Sequence, residues 1–155
     1  MHNPWISESQ LQWCQYLLDS YARFIQRELI DRQGTWLQQA ELLYNNPIVV
    51  ASHGTESDPI LNYGNQAALK LWEMDWHQFT QTPSRLTAEP VNREDRTRML
   101  HQAKMQGFIA DYTGIRISSS GKRFRINQAM IWNIHKSDGT PAGQGAAFSD
   151  WLYLP

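Results

Sequence analysis

The stretch Asp58 to Glu73, Asp-Pro-Ile-Leu-Asn-Tyr-Gly-Asn-Gln-Ala-Ala-Leu-Lys-Leu-Trp-Glu, compresses a strand, a tight turn and an amphipathic helix into sixteen residues. Ile60 to Tyr63 suits a short strand and Gly64 permits the turn. Asn65 then offers a side-chain oxygen to the free N–H groups of a helix whose buried side carries Ala68, Leu69, Leu71 and Trp72. Just upstream, Ile48 to Ala51 is an apolar run suited to a buried strand, joined to the first stretch by the turn-rich Ser52 to Pro59. The two strands are expected to pair as a hairpin.

Before Pro47 the pattern is helical and rich in glutamine. Ser7 and Gln10 have capping-box spacing, with Ile6 and Leu11 as the hydrophobic staple, so a helix is expected to start at Glu8. Trp13, Tyr16, Leu17, Tyr21, Phe24, Ile25 and Leu29 recur at steps of three and four, an apolar stripe that needs a partner. Thr35 and Gln38 are placed to cap a second helix carrying Leu37, Leu42 and Leu43. Residues 1–43 therefore read as a helical extension of a domain at 44–155. Its stripe packs either on the chain's own core or on a second copy as a homodimer.

Downstream, Asp75 caps a short helix that stops at Pro83, and Asn92 to Gly107 marks a longer one with Met99, Leu100 and Ala103 on one face. Three strands follow: Tyr112 to Ser118, then a long strand across the Gly121 hairpin, then Ala142 to Trp151 after the Asp138-Gly139 turn. In the long strand Phe124, Ile126, Gln128, Met130, Trp132 and Ile134 alternate with mostly polar residues, which predicts one buried face. The expected fold class is α+β: one five-stranded antiparallel sheet with short helices on one face, plus the helical extension.

Composition bounds the function. The chain of 155 residues carries 14 basic and 15 acidic side chains, a net charge of −1, which argues against nucleic acid or an anionic membrane as a partner. Cys14 is the only cysteine; it permits no intrachain disulfide or multi-thiolate zinc site and reads as a small buried hydrophobe. No apolar run approaches the roughly 20 residues that span a bilayer, and the first residues lack a signal pattern, so a cytoplasmic location is expected. His2, His53, His77 and His135 are scattered without ligand spacing, and no metal site is predicted.

Asp58-Pro-Ile, Asn65-Gln-Ala-Ala, the Gly121 hairpin and Asp138-Gly139 before a terminal strand resemble a PAS domain over roughly residues 44–152. More specifically, Ala67-Ala-Leu-Lys-Leu-Trp-Glu, Thr82-Pro-Ser-Arg-Leu-Thr-Ala-Glu-Pro and the segment from Asp111 to Phe124 resemble the MEKHLA domain across most of the chain. That family is PAS-like, occurring alone in bacteria and algae and at the end of plant homeodomain leucine-zipper transcription factors. The resemblance implies a sensory or regulatory module that binds a small molecule or a protein partner. Neither a homeodomain nor a zipper is present here, which argues against a transcriptional role.

PAS-like folds hold ligands between the sheet and the short helices, which makes Leu69, Trp72, Arg116, Gln128, Met130 and Trp132 the pocket candidates. Gln128 is an amide on an otherwise apolar face and Arg116 is suited to an anion, although a satisfied core amide and a solvated arginine are the plainer readings. In flavin-binding light sensors of this class the adduct cysteine lies in a segment that Thr82 to Thr87 resembles, where this chain has Ser84. The flavin-binding amides would fall near Arg116 and Ile126, which disfavours flavin. Heme would require a helix histidine; His101 is at the margin of its helix face and is expected at the surface. An isomerase-like enzyme is the alternative function, with Asp111 and Tyr112, or Glu73 and Asp75, as acid and base. No spacing demands it, so no catalytic residue is assigned.

Overall fold

The computed structural model describes residues 3–155; Met1 and His2, which the sequence reading included in the extension, lie outside the described residues. Helix α1 (Glu8–Ile25) starts where Ser7 accepts a hydrogen bond from the N–H of Gln10, and α2 (Trp36–Tyr44) starts at a full capping box between Thr35 and Gln38. Strands β1 (Val49–His53) and β2 (Leu61–Gly64) lead into α3 (Gln66–Trp72) and α4 (Trp76–Phe79), capped by Asn65 and Asp75. Helix α5 (Arg93–Gln106) ends at Gly107, whose φ of 95° suits a residue without Cβ. Asn92, the first residue of the predicted helix, makes no side-chain cap. It sits in a helical conformation at the end of a short 3-10 turn that feeds directly into α5.

Strands β3 (Phe108–Ile117), β4 (Arg123–His135), β5 (Pro141–Phe148) and β6 (Asp150–Tyr153) complete an antiparallel sheet in the order β2-β1-β5-β4-β3, with β6 also pairing with β4. The sheet has six strands because the predicted last strand breaks at Ser149. Its two halves keep the same register on β4, Met130 opposite Ala147 and Asn127 opposite Asp150, on either side of the break.

That break lies beside a bulge in β4. Between the pairs Gly114–Ile126 and Tyr112–Ala129, β4 takes three steps where β3 takes two, and Gln128 absorbs the extra residue at φ 53°. Strand β3 returns the debt two residues on, with Asp111 at φ 63°, so that Ile109 again faces Ile131. Side chains alternate along a strand, so one extra residue transfers everything beyond it to the opposite face. Phe124, Ile126, Ala129 and Ile131 consequently share one side, while Trp132 and Ile134 share the other.

The sheet is therefore buried on both faces. On the inner face α3, α4 and α5 cover Val49, Ala51, Leu61, Phe124, Ile126 and Phe148. On the outer face the extension covers Val50, Tyr63, Trp132 and Ile134 with Cys14, Leu17, Leu18 and Tyr21 from α1 and Ala40 and Leu43 from α2. The stripe of α1 thus finds its partner within the chain. Tyr21 meets Trp132 edge-on at 4.9 Å, the Trp132 indole N–H donates to the Leu17 carbonyl, and its ring lies over Gly145, where a Cβ would stand 2.7 Å away.

Asn65 ties the two layers together. Its side-chain oxygen accepts from the N–H groups of Val50 and Ala68, and its amide donates to the carbonyls of Leu43, Asn46 and Ile48. One fully buried side chain thus joins the end of α2, the start of β1 and the start of α3.

Candidate functional site

Between the inner face of the sheet and α3 to α5 lies a cavity of about 70 Å3. Its apolar wall includes Leu61, Phe79, Met99, Ile131 and Phe148, and its polar residues are Ser52, His53, Ser84, Thr87, Arg96, Arg116 and Gln144. Arg96 and Arg116 are each only 5% exposed, and among the described residues they are the only buried arginines.

The arginines reach the cavity from different elements. Arg96 lies three residues before Met99 and seven before Ala103, on the face of α5 that packs against the sheet. One of its terminal nitrogens donates a very short hydrogen bond to the Ser84 hydroxyl. Arg116 projects inward from β3, donating to the Ile115 carbonyl at 2.8 Å and to the Tyr112 hydroxyl at 3.2 Å. Its guanidinium carbon lies 5.6 Å from the centre of the Tyr112 ring. Tyr112 in turn donates to Asp95 at 3.1 Å, so the nearest acid reaches Arg116 only through a phenol.

Among the described residues no carboxylate lies within 4.0 Å of either guanidinium. Burial, and next the repulsion of Arg116, lower the pKa of Arg96 to about 10, so Arg96 remains cationic at neutral pH.

His53 closes another side. Its Nδ1 lies 2.9 Å from the Gly54 carbonyl, which can only accept, so Nδ1 carries the proton and Nε2 presents a lone pair. Nε2 is buried without a partner, as is the indole N–H of Trp72. Burial is the main cause of a lowered His53 pKa, which favours the neutral ring. His53, Leu100 and Gln144 also line an outer cleft of about 520 Å3, so they form the wall between the cavity and the surface. Gln144 holds its place there by donating to the Leu100 carbonyl and to Asn133, each at 3.1 Å.

The structure separates the six pocket candidates. Trp72 and Arg116 line the cavity, and Arg116 is buried rather than solvated. Leu69 is buried in the same core, away from the cavity wall. Gln128 is exposed at the bulge, and Met130 and Trp132 pack on the outer face under α1. These three are corrected for one reason: the bulge at Gln128 ends the alternation that had grouped them with Phe124 and Ile126. Sequence reasoning missed His53, Thr87, Arg96 and Gln144 as cavity groups and met Ser84 only through the light-sensor resemblance; of the four missed, only Arg96 carried a usable signal, its helical spacing from Met99 and Ala103.

The acid and base candidates are dispersed. Asp111 is exposed at its bulge, Asp75 caps α4, and exposed Glu73 ends α3 in a left-handed conformation, accepting from Ser118 and Ser120. Hydrogen bonds from these serines hold the Glu73 carboxyl below its usual pKa. None of the three, nor Tyr112, lines the cavity.

The interior does not fit flavin or heme. Its volume of about 70 Å3 is far below the ~300 Å3 at which pockets for larger ligands begin. Ser84 is engaged by Arg96, Arg116 and Ile126 stand where flavin-binding amides were expected, and His101 is exposed on the outer cleft. Among the described residues no three His, Cys, Asp or Glu side chains gather as a metal site, and no helix is long and apolar enough to cross a membrane.

The architecture is that of PAS proteins. The chain is similar to the PAS domain of a protein from Colwellia psychrerythraea, with TM-score 0.64 and 14% identity, over 76% of this chain and 94% of that one. A light-oxygen-voltage domain studied with a flavin analogue matches with TM-score 0.58 and 12% identity, over 79% of this chain and 87% of that one. An RNA-binding light-oxygen-voltage receptor matches with TM-score 0.62 and 14% identity, over 82% of this chain but 36% of the receptor. At these identities the likeness establishes the fold alone. A comparison with curated proteins finds no match. The MEKHLA domain family model matches residues 11–153, from the second turn of α1 to the last residue of β6, and the chain therefore belongs to the MEKHLA domain family.

Proposed function

We propose that this protein is a sensory module whose interior cavity binds a small molecule, without catalysing its conversion. The carrying observation is the cavity itself, lined by two buried arginines without a carboxylate partner and by His53 and Trp72, each of which keeps a buried nitrogen without a partner. Buried polar groups are ordinarily satisfied, and a ligand is the partner that a sensory fold supplies. Membership of a PAS-like family supports the sensory part of this reading. Of the sequence-derived candidates, Trp72 and Arg116 are retained as ligand contacts. Catalysis has no comparable support, since its named carboxylates stand outside the cavity. RNA binding, stated for one structural neighbour, is not carried over: a net charge of −1 offers no general attraction for a polyphosphate.

The outcome of binding is transmitted to a protein partner or a second copy of the chain, in keeping with a cytoplasmic regulatory role. A homodimer through the extension would use α2, where Trp36, Leu37 and Leu42 are exposed, because the stripe of α1 is occupied by the sheet. Light scattering on the full chain tests this part. The binding part is tested by amide NMR of the full chain against a library of small neutral and charged compounds. Saturable shifts at Met99, Arg116 and Gly145 are expected from at least one compound class, and their absence from every class would remove the reading.

A further inference from the structure

We infer that the interior cavity takes a short carboxylate, clamped between Arg96 and Arg116; this deepens the sensory reading above and rests on it. Two cations facing one cavity without a carboxylate between them are costly to bury, and a bound anion relieves both desolvation and mutual repulsion. Among the described residues the guanidiniums keep donors in reserve. Arg96 has one protein acceptor, the Ser84 hydroxyl, and neither arginine has a protein acceptor at Nε. Guanidinium groups match the planar geometry of a carboxylate, and the charge-assisted bonds they form strengthen where water is scarce.

Size and lining narrow the class. About 70 Å3 exceeds the ~10–15 Å3 of such space that one water molecule needs, which leaves room for a ligand of a few heavy atoms. The rest of the wall, including Leu61, Phe79, Met99 and Ile131, suits a short hydrocarbon tail. A phosphate or a dicarboxylate would press further charged oxygens against those apolar side chains.

The experiment is a titration of the full chain in chloride-free buffer, read by amide NMR and by thermal melting, with sodium propionate as the probe. Propionamide, sodium chloride and sodium phosphate serve as comparisons. Propionate is expected to saturate shifts at Met99, Arg116 and Gly145 and to raise the melting temperature, while propionamide leaves both unmoved. Arg96→Met and Arg116→Met are each expected to weaken propionate binding by roughly tenfold or more. Without ligand, Arg96→Met should melt above the parent chain, because it exchanges an unpaired buried cation for an apolar side chain of similar length.

Equal saturation by propionamide would overturn the inference, and so would unchanged propionate binding in both variants. Saturation by chloride or phosphate as strong as by propionate would overturn it in favour of an inorganic anion. If propionate fails while neutral compounds shift the same amides, the carboxylate falls and the sensory cavity stands. Silence from every compound removes both.

Discussion

Both faces of the sheet are covered by helices, yet they are finished differently. On the outer face the arginine drawn inward finds its partners inside the protein, although Gln10 Oε1, Tyr63 Oη and His135 Nδ1 stay buried without one. Arg32 donates to Asp19, Gln15 and Gln39, Gln15 donates to Gln39, and Trp132 donates to the backbone of α1. This accounts for the glutamine-rich extension: Gln15 and Gln39 are buried because they join α1 to α2 through Arg32. On the inner face a cavity persists, bordered by two buried cations without counterions. The outer face is finished as a core and the inner face as a site, so helical cover alone does not mark a face as structural.

Substitutions test that contrast. Trp132→Ala should cost the most, about 3–5 kcal/mol in urea unfolding, because it empties the centre of the filled face. A loss near 1 kcal/mol would show the outer face to be loosely packed. Asn65→Ala should cost roughly 2–4 kcal/mol, since it leaves the buried N–H groups of Val50 and Ala68 without their acceptor. Asn65→Asp keeps the acceptor oxygen but loses the donations to Leu43, Asn46 and Ile48, and should also destabilise. Leu17→Ala and Met99→Ala then compare the faces directly within the usual ~2–5 kcal/mol range. Leu17 should lie toward the upper end and Met99 toward the lower, because Met99 already borders empty space. Equal costs would erase the distinction between the faces.

The smallest effect is the dependence on pH. Burial keeps the folded pKa of His53 below the ordinary value of 6.5, with Arg96 lowering it further and Glu56 and the Gly54 carbonyl opposing. Below that value the unfolded chain binds a proton that the folded chain resists. Stability should therefore be fully present above about pH 6.5 and decline as the pH falls toward the folded pKa. His53→Gln should flatten this slope in unfolding curves collected between pH 5 and pH 7. An unchanged slope would assign it to other groups.

The caps at Ser7, Thr35, Asn65 and Asp75 were legible in the sequence because each joins a side chain to a backbone N–H three residues on. The antiparallel sheet with helices was legible for a related reason, since changes of period and turn residues are local signals. Strand β4 shows where such reading ends. Its unbroken alternation predicts a single face, and nothing in Asn127-Gln128-Ala129 announces a bulge; the bulge exists through the registers on β3 and on the β5–β6 pair. The direction of the α1 stripe was likewise undetermined, because a stripe specifies that an apolar partner exists without specifying which.

By itself, then, the sequence determined the elements apart from the break at Ser149, their order, the α+β class and the structural role of Asn65, all set by interactions within a few residues or by simple periodicity. Only the tertiary structure decided which residues meet. A one-residue bulge moved Met130 and Trp132 away from the expected pocket, and the packing of α5 against the sheet brought Arg96 beside Arg116. The physical reason is that a strand's facing depends on register, and a cavity's charge on side chains far apart in the chain. Both are set by long-range contacts that no local pattern encodes.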